Sequence, residues 1–238
     1  MSKKISTLTA GSLLKLNENG QPKKLIFLQY NHYGKNEVTV LRKDSFATKA
    51  FKGGSNGRNG YNGSDLDMFC NVEYPRMLDP IIQACLVPVP IPTARGAVNS
   101  DTTDATVVNL YRRGFALSCK EVANQNGVAA EGTAFSYLSG AAANRIAYYD
   151  ETANAVNWWL RSPYSNYDYR VAYYVDTSGS LDYDFVSNAN NYCPRPALAL
   201  SSEIYVSDSP DSDGCYTVES APAGEQYVKQ NGIWLKMT

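Results

Sequence analysis

Two short segments decide the fold: Trp158-Trp159-Leu160-Arg161-Ser162-Pro163 and, further along the chain, Arg195-Pro196-Ala197-Leu198-Ala199-Leu200. The adjacent tryptophans are expected to anchor the core, because indole rings bury a large apolar area, with ligand contact as the alternative. Arg161 and Arg195 are expected to make buried hydrogen bonds or ion pairs that fix the strands, again with ligand binding as the alternative. The two segments therefore predict a rigid scaffold.

Residues 164–192, between the two segments, are unusually rich in Tyr, Asn, Asp and Ser. These four types fill nineteen of the twenty-nine positions. Tyr gives a large amphipathic contact area with few torsions to freeze, and Asn and Ser give adaptable hydrogen bonds. Apolar residues recur through the stretch, as in short strands with one face inward, which argues against a disordered tract. The predicted inward positions are Val171, Val175, Leu181 and Val186.

The polar and aromatic side chains of this stretch are predicted to form a binding face, with a loop that is merely exposed as the alternative. The predicted ligand contacts are Tyr164, Asn166, Tyr167, Asp168, Tyr169, Arg170, Tyr173, Tyr174, Asp176, Asp182, Tyr183, Asp184, Phe185, Ser187, Asn188, Asn190, Asn191 and Tyr192.

Composition excludes several classes of protein. With 238 residues, 44% of them hydrophobic, the chain suffices for one large domain or one domain with a small appendage. A net charge of −1 leaves no basic excess for a nucleic-acid backbone or an anionic membrane. No apolar run is long enough to span a bilayer, so membrane insertion is not predicted. Lys3 and Lys4 precede no apolar segment, so no signal peptide is predicted and synthesis in the cytoplasm is expected.

The sequence predicts no catalytic residue, metal or cofactor. The five cysteines form no Cys-x-x-Cys pair, so most are expected to be buried free thiols. His32, the only histidine, has no accompanying nucleophile motif and is expected to be exposed. Asp208, Asp211 and Asp213 resemble the start of a calcium loop but lack its glycine and glutamate spacing, which favours a solvated loop. The glycine-rich residues 53–63 are expected to form a surface loop rather than a phosphate cradle.

Local patterns predict an α+β protein. Ser64 and Ser118 are candidate helix N-caps, and the Ala-rich residues 133–149 fit a second helix or two short ones. Residues 204–238 are predicted to form a small β appendage with an Asn231-Gly232 hairpin turn. Predicted strands cover residues 12–16, 25–30 and 38–43, and the predicted turn between the first two covers 17–20.

The two scaffold segments resemble the signature of a bacterial and phage family of uncharacterised domains, whose members carry Trp-Leu-Arg-Ser-Pro and end with Gly-Val-Arg-Pro-Ala-Leu. Here Cys193-Pro194 stands where that family has Gly-Val. The family resembles the C-type lectin-like fold, in the form shared with formylglycine-generating enzymes. The resemblance implies an α+β domain at residues 1–203 with short twisted antiparallel strands, two main helices and much irregular loop. Further similar pieces lie at 14–20, 41–44 and 61–64, so that the resemblance covers residues 10–202.

The same fold carries the variable proteins of diversity-generating retroelements, which copy a template repeat with errors at adenines. Such errors convert an Asn codon to Tyr, Asp, Ser and other residues, but never to Lys, Glu, Gln, Met or Trp. None of these five types occurs between Leu160 and Ser202, where the chain's average predicts roughly four or more. The resemblance therefore implies a non-enzymatic receptor-recognition protein of a phage virion or bacterial surface, whose partner is a protein or cell-surface ligand.

Two alternatives remain open. One is a structural phage tail or surface module of the same fold without diversification, since residues 228–236 weakly resemble terminal segments of phage structural proteins. The other is an oxidoreductase of the formylglycine-generating type. That activity requires a cysteine pair, and only Cys193 lies in the corresponding region.

Overall fold

Strands dominate the structure, a computed structural model that describes residues 2–54, 57–150, 152–164, 168–220, 227–230 and 233–236. The chain is therefore a sheet-rich α+β protein, as predicted. The strands are β1 (Ser2–Lys4), β2 (Leu13–Glu18), β3 (Gln21–Tyr30), β4 (Glu37–Arg42), β5 (Val89–Gly96), β6 (Asp104–Arg112), β7 (Gly114–Phe115), β8 (Ala147–Tyr148), β9 (Ala155–Pro163), β10 (Val171–Val175), β11 (Leu181–Phe185), β12 (Tyr192–Cys193), β13 (Ala197–Ser201), β14 (Tyr205–Ser207), β15 (Cys215–Ser220), β16 (Tyr227–Gln230) and β17 (Ile233–Lys236). The α-helices are α1 (Asp65–Met68), α2 (Pro80–Cys85), α3 (Cys119–Ala123) and α4 (Ser136–Gly140).

The helices are shorter than the two main helices predicted. Ser64 caps α1 by accepting a hydrogen bond from the amide of Asp67 at 3.1 Å, as expected for an N-cap. The helical path then changes to a π turn at Phe69–Glu73 and a 3-10 turn. In the Ala-rich segment, Ala141 adopts extended backbone (φ −152) and separates α4 from a 3-10 turn at Ala142–Asn144, so the alternative of two short helices is confirmed.

Two sheets position the candidate site. The larger has the strand order β1-β14-β15-β2-β3-β4-β13-β7, and the smaller has the order β11-β10-β9-β12, with β8 also pairing with β9. The first scaffold segment lies in β9 of the smaller sheet, and the second runs into β13 of the larger sheet. Each sheet therefore contains one of the two segments. The predicted turn between β2 and β3 is confirmed, since Asn19 and Gly20 have φ of 52° and 78°, as a two-residue hairpin turn requires.

The boundary predicted at residue 203 does not coincide with a break in the larger sheet. β14 pairs with β1, and β15 pairs in parallel with β2, so residues 205–220 extend that sheet. The backbone groups at this edge of β2 find their hydrogen-bond partners in β15. A terminal hairpin of β16 and β17 is formed, while its expected turn at Asn231-Gly232 lies outside the described residues.

Residues that the sequence assigns to the core are buried. Trp158 and Trp159 are fully buried, and their indole nitrogens donate to the carbonyl oxygens of Arg145 and Lys49, each at 3.0 Å. This confirms the anchoring role of the tryptophans. Of the four predicted inward positions, Leu181 is half-buried, and the other three are buried: Val171, Val175 and Val186.

Two expectations about exposure are wrong. The glycine-rich loop is not wholly at the surface, because Asn59 and Tyr61 are fully buried. A Cβ on Gly60 would lie 2.6 Å from the carbonyl oxygen of Ala97, so the glycine permits this close backbone approach. His32 is half-buried rather than exposed, because its ring stacks on Phe135 at 3.9 Å.

None of the helices in the described ranges is both long and apolar enough to cross a membrane.

Candidate ligand-binding face

The stretch 164–192 folds onto the first scaffold segment. β10 runs antiparallel to β9 and β11 antiparallel to β10, while β12 pairs in parallel with β9. In the β10–β11 pair, Tyr173 lies opposite Tyr183 and Val171 opposite Phe185. Because side chains alternate along a strand, these four residues share one side of the pair.

This side carries a groove of about 690 Å³ with aromatic walls. The Tyr164 ring stacks on Tyr183 at 3.6 Å with an interplanar angle of 21°, and Tyr173 meets Tyr164 edge-on at 5.3 Å. Burial raises the pKa of Tyr173 to about 12, so its hydroxyl is neutral at physiological pH. Tyr183 and Phe185 are 47% and 48% exposed. The groove is lined by Tyr164, Asp168, Val171, Tyr173, Tyr183, Asp184 and Phe185.

An ion pair borders the groove. The Nε of Arg170 donates to Asp168 Oδ1 at 3.0 Å, and this hydrogen bond lowers the pKa of the Asp168 carboxyl. The guanidinium also lies over the rings of Phe185 and Tyr169, at 5.3 Å and 5.6 Å from their centroids. Arg170 therefore links the polar rim to the aromatic wall.

Tyr174 and Tyr192, both predicted as ligand contacts, are instead buried on the opposite side of the sheet. They are 8% and 5% exposed, and their rings pack on Trp159 at 6.1 Å and 4.3 Å. Their hydroxyls donate to Asp182 at 3.1 Å and to Asp184 at 2.5 Å. Burial raises the pKa of the Tyr192 hydroxyl, and the hydrogen bond to Asp184 raises it further. These tyrosines form a support layer because the pleat of β10 turns Tyr174 inward.

Asp182 and Asp184 also serve the backbone of β11, the edge strand of the smaller sheet. Val186 N donates to the carbonyl of Arg170, so the amides of Tyr183 and Phe185 point to the open side of the strand. Each is satisfied by the preceding aspartate, at 2.8 Å for Tyr183 and 2.6 Å for Phe185. The two carboxylates thus protect a strand edge, a role that sequence alone did not indicate.

Asp176, another predicted ligand contact, holds the turn between β10 and β11. Its Oδ1 accepts hydrogen bonds from the amides of Ser178 and Ser180, at 2.8 Å and 2.9 Å, and from the Ser178 hydroxyl at 2.7 Å. Burial raises the pKa of Asp176, but these hydrogen bonds lower it by more. The turn ends at Gly179, whose φ of 83° favours glycine and whose carbonyl accepts from Arg145 at 2.6 Å.

The remaining predicted contacts differ in accessibility. Tyr169 is half-buried, and Asn188 is half-buried with its amide donating to Asp184 at 3.0 Å. Asn166 and Tyr167 lie outside the described residues. The predicted contacts in the loop after β11 that are exposed are Ser187, Asn190 and Asn191.

Asn59 is a supporting residue that the sequence interpretation missed. Its backbone N–H donates to the carbonyl of Tyr169 at 2.8 Å, and its side-chain Nδ2 donates to the carbonyl of Val171 at 3.0 Å. Its Oδ1 accepts from Ala97 N at 2.8 Å. Asn59 thereby ties the start of β10 to the glycine-rich loop. The available signal was the alternation of Asn and Gly, which permits close backbone approach.

The two scaffold arginines have structural roles, as predicted. Arg161 is fully buried and makes a bidentate ion pair with Glu121 at 2.6 Å and 2.7 Å. Ser118 caps α3 in a capping box with the same Glu121, which confirms the predicted cap. Arg195, also buried, instead donates to three carbonyl oxygens and lies over the Trp158 ring at 4.8 Å. The accepting residues are Arg42, Lys43 and Arg145.

The cysteines and the aspartates of residues 208–213, which the sequence offers for catalysis or metal binding, have structural surroundings where they are described. All five cysteines are buried, and burial raises the pKa of Cys193 to about 11, which disfavours a reactive thiolate. Asp211 and Asp213 both accept from Lys15, at 2.7 Å and 2.6 Å. Within the described ranges, no group of three or more His, Cys, Asp or Glu could hold a metal ion. The groove itself offers a ligand aromatic rings and polar side chains.

Comparison with known proteins places the chain in a family. The family described as "Domain of unknown function (DUF6273)" matches residues 36–202, which is more than half of the chain, so the chain belongs to this family. The matched range includes both scaffold segments and the groove. No curated protein and no solved structure matches the chain.

Proposed function

We propose that this member of the DUF6273 family is a non-enzymatic receptor-recognition module, which binds its ligand in the aromatic groove of β10 and β11. One observation carries the proposal: exposed aromatic side chains line an open groove, while the layer behind them is buried and hydrogen-bonded. Tyr183 and Phe185 are about half exposed, whereas Tyr174 and Tyr192 pack on Trp159. Rigid aromatic contacts on a fixed base lose little conformational entropy on binding.

The proposal includes a C-type lectin-like fold and diversification by a retroelement. The mixed sheets with short helices are compatible with that fold. The absence of Lys, Glu, Gln, Met and Trp between Leu160 and Ser202 supports adenine-directed change. We further propose a protein or cell-surface ligand, reached from a phage virion or a bacterial surface.

A non-diversified surface module is the second candidate, and one observation favours it. Several polar side chains of the stretch are engaged in the fold itself: Asp176 holds a turn, and Asp182 and Asp184 satisfy amides of β11. Free variation at these three positions would remove those hydrogen bonds.

Sequencing the same locus from many isolates separates the two candidates. Diversification requires a nearby reverse transcriptase gene and a template repeat, with variation concentrated at exposed positions such as Tyr183 and Phe185. Buried Val175 and Val186 should stay constant. A locus without the reverse transcriptase and repeat, with residues 164–192 unchanged between isolates, contradicts diversification but leaves the binding proposal to the next test.

Binding is tested with intact bacterial cells of the host and with glycan and protein arrays as probes. For a central aromatic contact, Tyr183→Ala is expected to cost about 2 kcal/mol of binding, which is about 30-fold in Kd. Tyr205→Ala is the matched control, since Tyr205 is 37% exposed and lies in the larger sheet. Equal binding by the two variants, or no binding by the wild-type protein to any probe, contradicts the proposal.

A further inference from the structure

The hairpin of β5 and β6 forms a two-stranded sheet apart from the two larger ones. Its register places Pro92 opposite Asn109 and Pro90 opposite Tyr111. The outer edge of β5 is satisfied: the carbonyl of Pro92 accepts from Arg161 at 2.9 Å, and the prolines carry no amide hydrogen. The outward direction of the Pro92 carbonyl identifies the Pro92–Asn109 pair as one whose backbone groups point away from each other.

The outer edge of β6 therefore presents the backbone groups of Val107 and Asn109 and the amide of Tyr111, while the carbonyl of Tyr111 accepts from Arg112 at 3.0 Å. The amides of these three residues have no hydrogen-bond partner among the described residues. The side chains are accessible as well, with Val107 38% and Tyr111 67% exposed. An open edge with β-forming side chains is a template for another strand.

The other open edge near the binding groove is built differently. On β11, the outward amides of Tyr183 and Phe185 are already satisfied by Asp182 and Asp184. Along the middle of β6, residues 105–111 are uncharged, so none of them can satisfy a neighbouring amide with a carboxylate. The chain thus protects one edge and leaves the other available.

The sequence of β6 is complementary to itself in the antiparallel direction. Pairing two copies about Val108 places Val107 opposite Asn109, so the outward backbone groups of both residues can form hydrogen bonds. The same register brings Asp104 of one copy opposite Arg112 of the other, and these are the only charged residues of the strand. Like charges therefore stay apart, and Arg112 can keep its bond to Asp67 at 2.8 Å.

We propose that β6 pairs with β6 of a second copy of this chain, antiparallel and centred on Val108, to form a symmetric dimer. The interface is isologous, so one strand supplies both sides. A dimer carries two aromatic grooves, so it can bind two ligands on the same surface at once, which raises its apparent affinity for that surface. The dimer does not depend on the proposed binding function.

Oxidative cross-linking of the full chain tests the pairing and its register. All five native cysteines are buried, so they should not compete in the cross-linking. In the proposed register, the thiol of Val108→Cys faces the same thiol of the second copy across the symmetry axis. Mild oxidation should convert this variant mostly to a covalent dimer. Asn109→Cys is the matched control, because residue 109 faces residue 107 of the other copy and its thiols are too far apart to bridge. Equal or stronger cross-linking at 109 overturns the proposed register.

Sedimentation velocity tests the assembly without a cross-link. The wild-type chain should sediment as a dimer that dissociates on dilution, and Val107→Lys should sediment as a monomer because it places charge on the edge. Since Val107 is exposed, this variant should keep the circular dichroism spectrum of the wild type. A wild-type chain that stays monomeric at every concentration overturns the proposal, including the case in which β6 accepts a strand of another protein.

Discussion

The tyrosines on the two sides of β10 and β11 come from one compositionally uniform stretch, yet they serve different purposes. Tyr164 and Tyr183 stack on each other beside an open groove. Tyr174 and Tyr192 are buried, pack on Trp159 and donate hydrogen bonds to aspartates. The difference follows from the strand pleat, which sends successive side chains to opposite sides. Composition therefore locates a binding region, while the pleat selects the residues that can contact a ligand.

The two sides should also respond differently to substitution. The buried side is continuous with the scaffold, because Tyr192 and Tyr174 both pack against Trp159, two residues before Arg161. The groove side ends in solvent. The cost in unfolding free energy should therefore fall from the scaffold, through the support tyrosines, to the turn that closes β10 and β11.

The largest effect is expected at the buried ion pair. Arg161→Met should lower the free energy of unfolding by about 3 to 5 kcal/mol, because Glu121 is left charged and buried without its guanidinium. Denaturant unfolding, followed by tryptophan fluorescence, measures the change.

The double variant Arg161→Met, Glu121→Gln is the control for this prediction. Gln removes the unpaired charge while it can still accept the backbone hydrogen bond of Ser118 in the capping box. The double variant should be more stable than Arg161→Met alone. If the double variant is equally or less stable, the loss comes from packing rather than from the unpaired charge of Glu121.

The support layer should show an intermediate effect. Tyr192→Phe keeps the ring on Trp159 but removes the hydroxyl that donates to Asp184 at 2.5 Å. We expect a loss of about 1 to 2 kcal/mol in the free energy of unfolding. Tyr183→Phe removes a hydroxyl from a 47% exposed ring and should change stability by less than about 0.5 kcal/mol. Thermal unfolding of both variants measures the difference. If they lose equal free energy of unfolding, the buried hydroxyl of Tyr192 stabilises the protein no more than the exposed hydroxyl of Tyr183.

The sequence could predict features that depend on local chemistry. Ser64 and Ser118 could be predicted as N-caps because a serine hydroxyl accepts a hydrogen bond from the backbone amide three residues later. The burial of Trp158, Trp159 and the inward valines follows from apolar character and spacing. These features need no knowledge of distant contacts.

Other features depend on contacts between residues far apart in the chain. The role of Asn59 exists only because its loop meets the backbone of Tyr169 and Val171, over a hundred residues later. Likewise, Tyr192 could not be separated from Tyr183 by composition, since the burial of Tyr192 depends on its parallel pairing beside β9. The pairing of β15 with β2 was missed for the same reason.

The smallest effect is expected at the turn between β10 and β11, and it should depend on pH. The Asp176 carboxylate accepts hydrogen bonds from Ser178 and Ser180, which hold its pKa in the folded protein below its ordinary value. The stability that this charge contributes is therefore present above the ordinary pKa of Asp, about 3.9, and is lost as pH falls through the lower pKa of the folded protein. Asp176→Asn should thus unfold more easily than the wild type at pH 7, by under about 1 kcal/mol, and the difference should shrink in acid. Urea midpoints of both proteins between neutral and acidic pH measure this, and a gap that stays constant or widens in acid would mean that the carboxylate charge does not stabilise the turn.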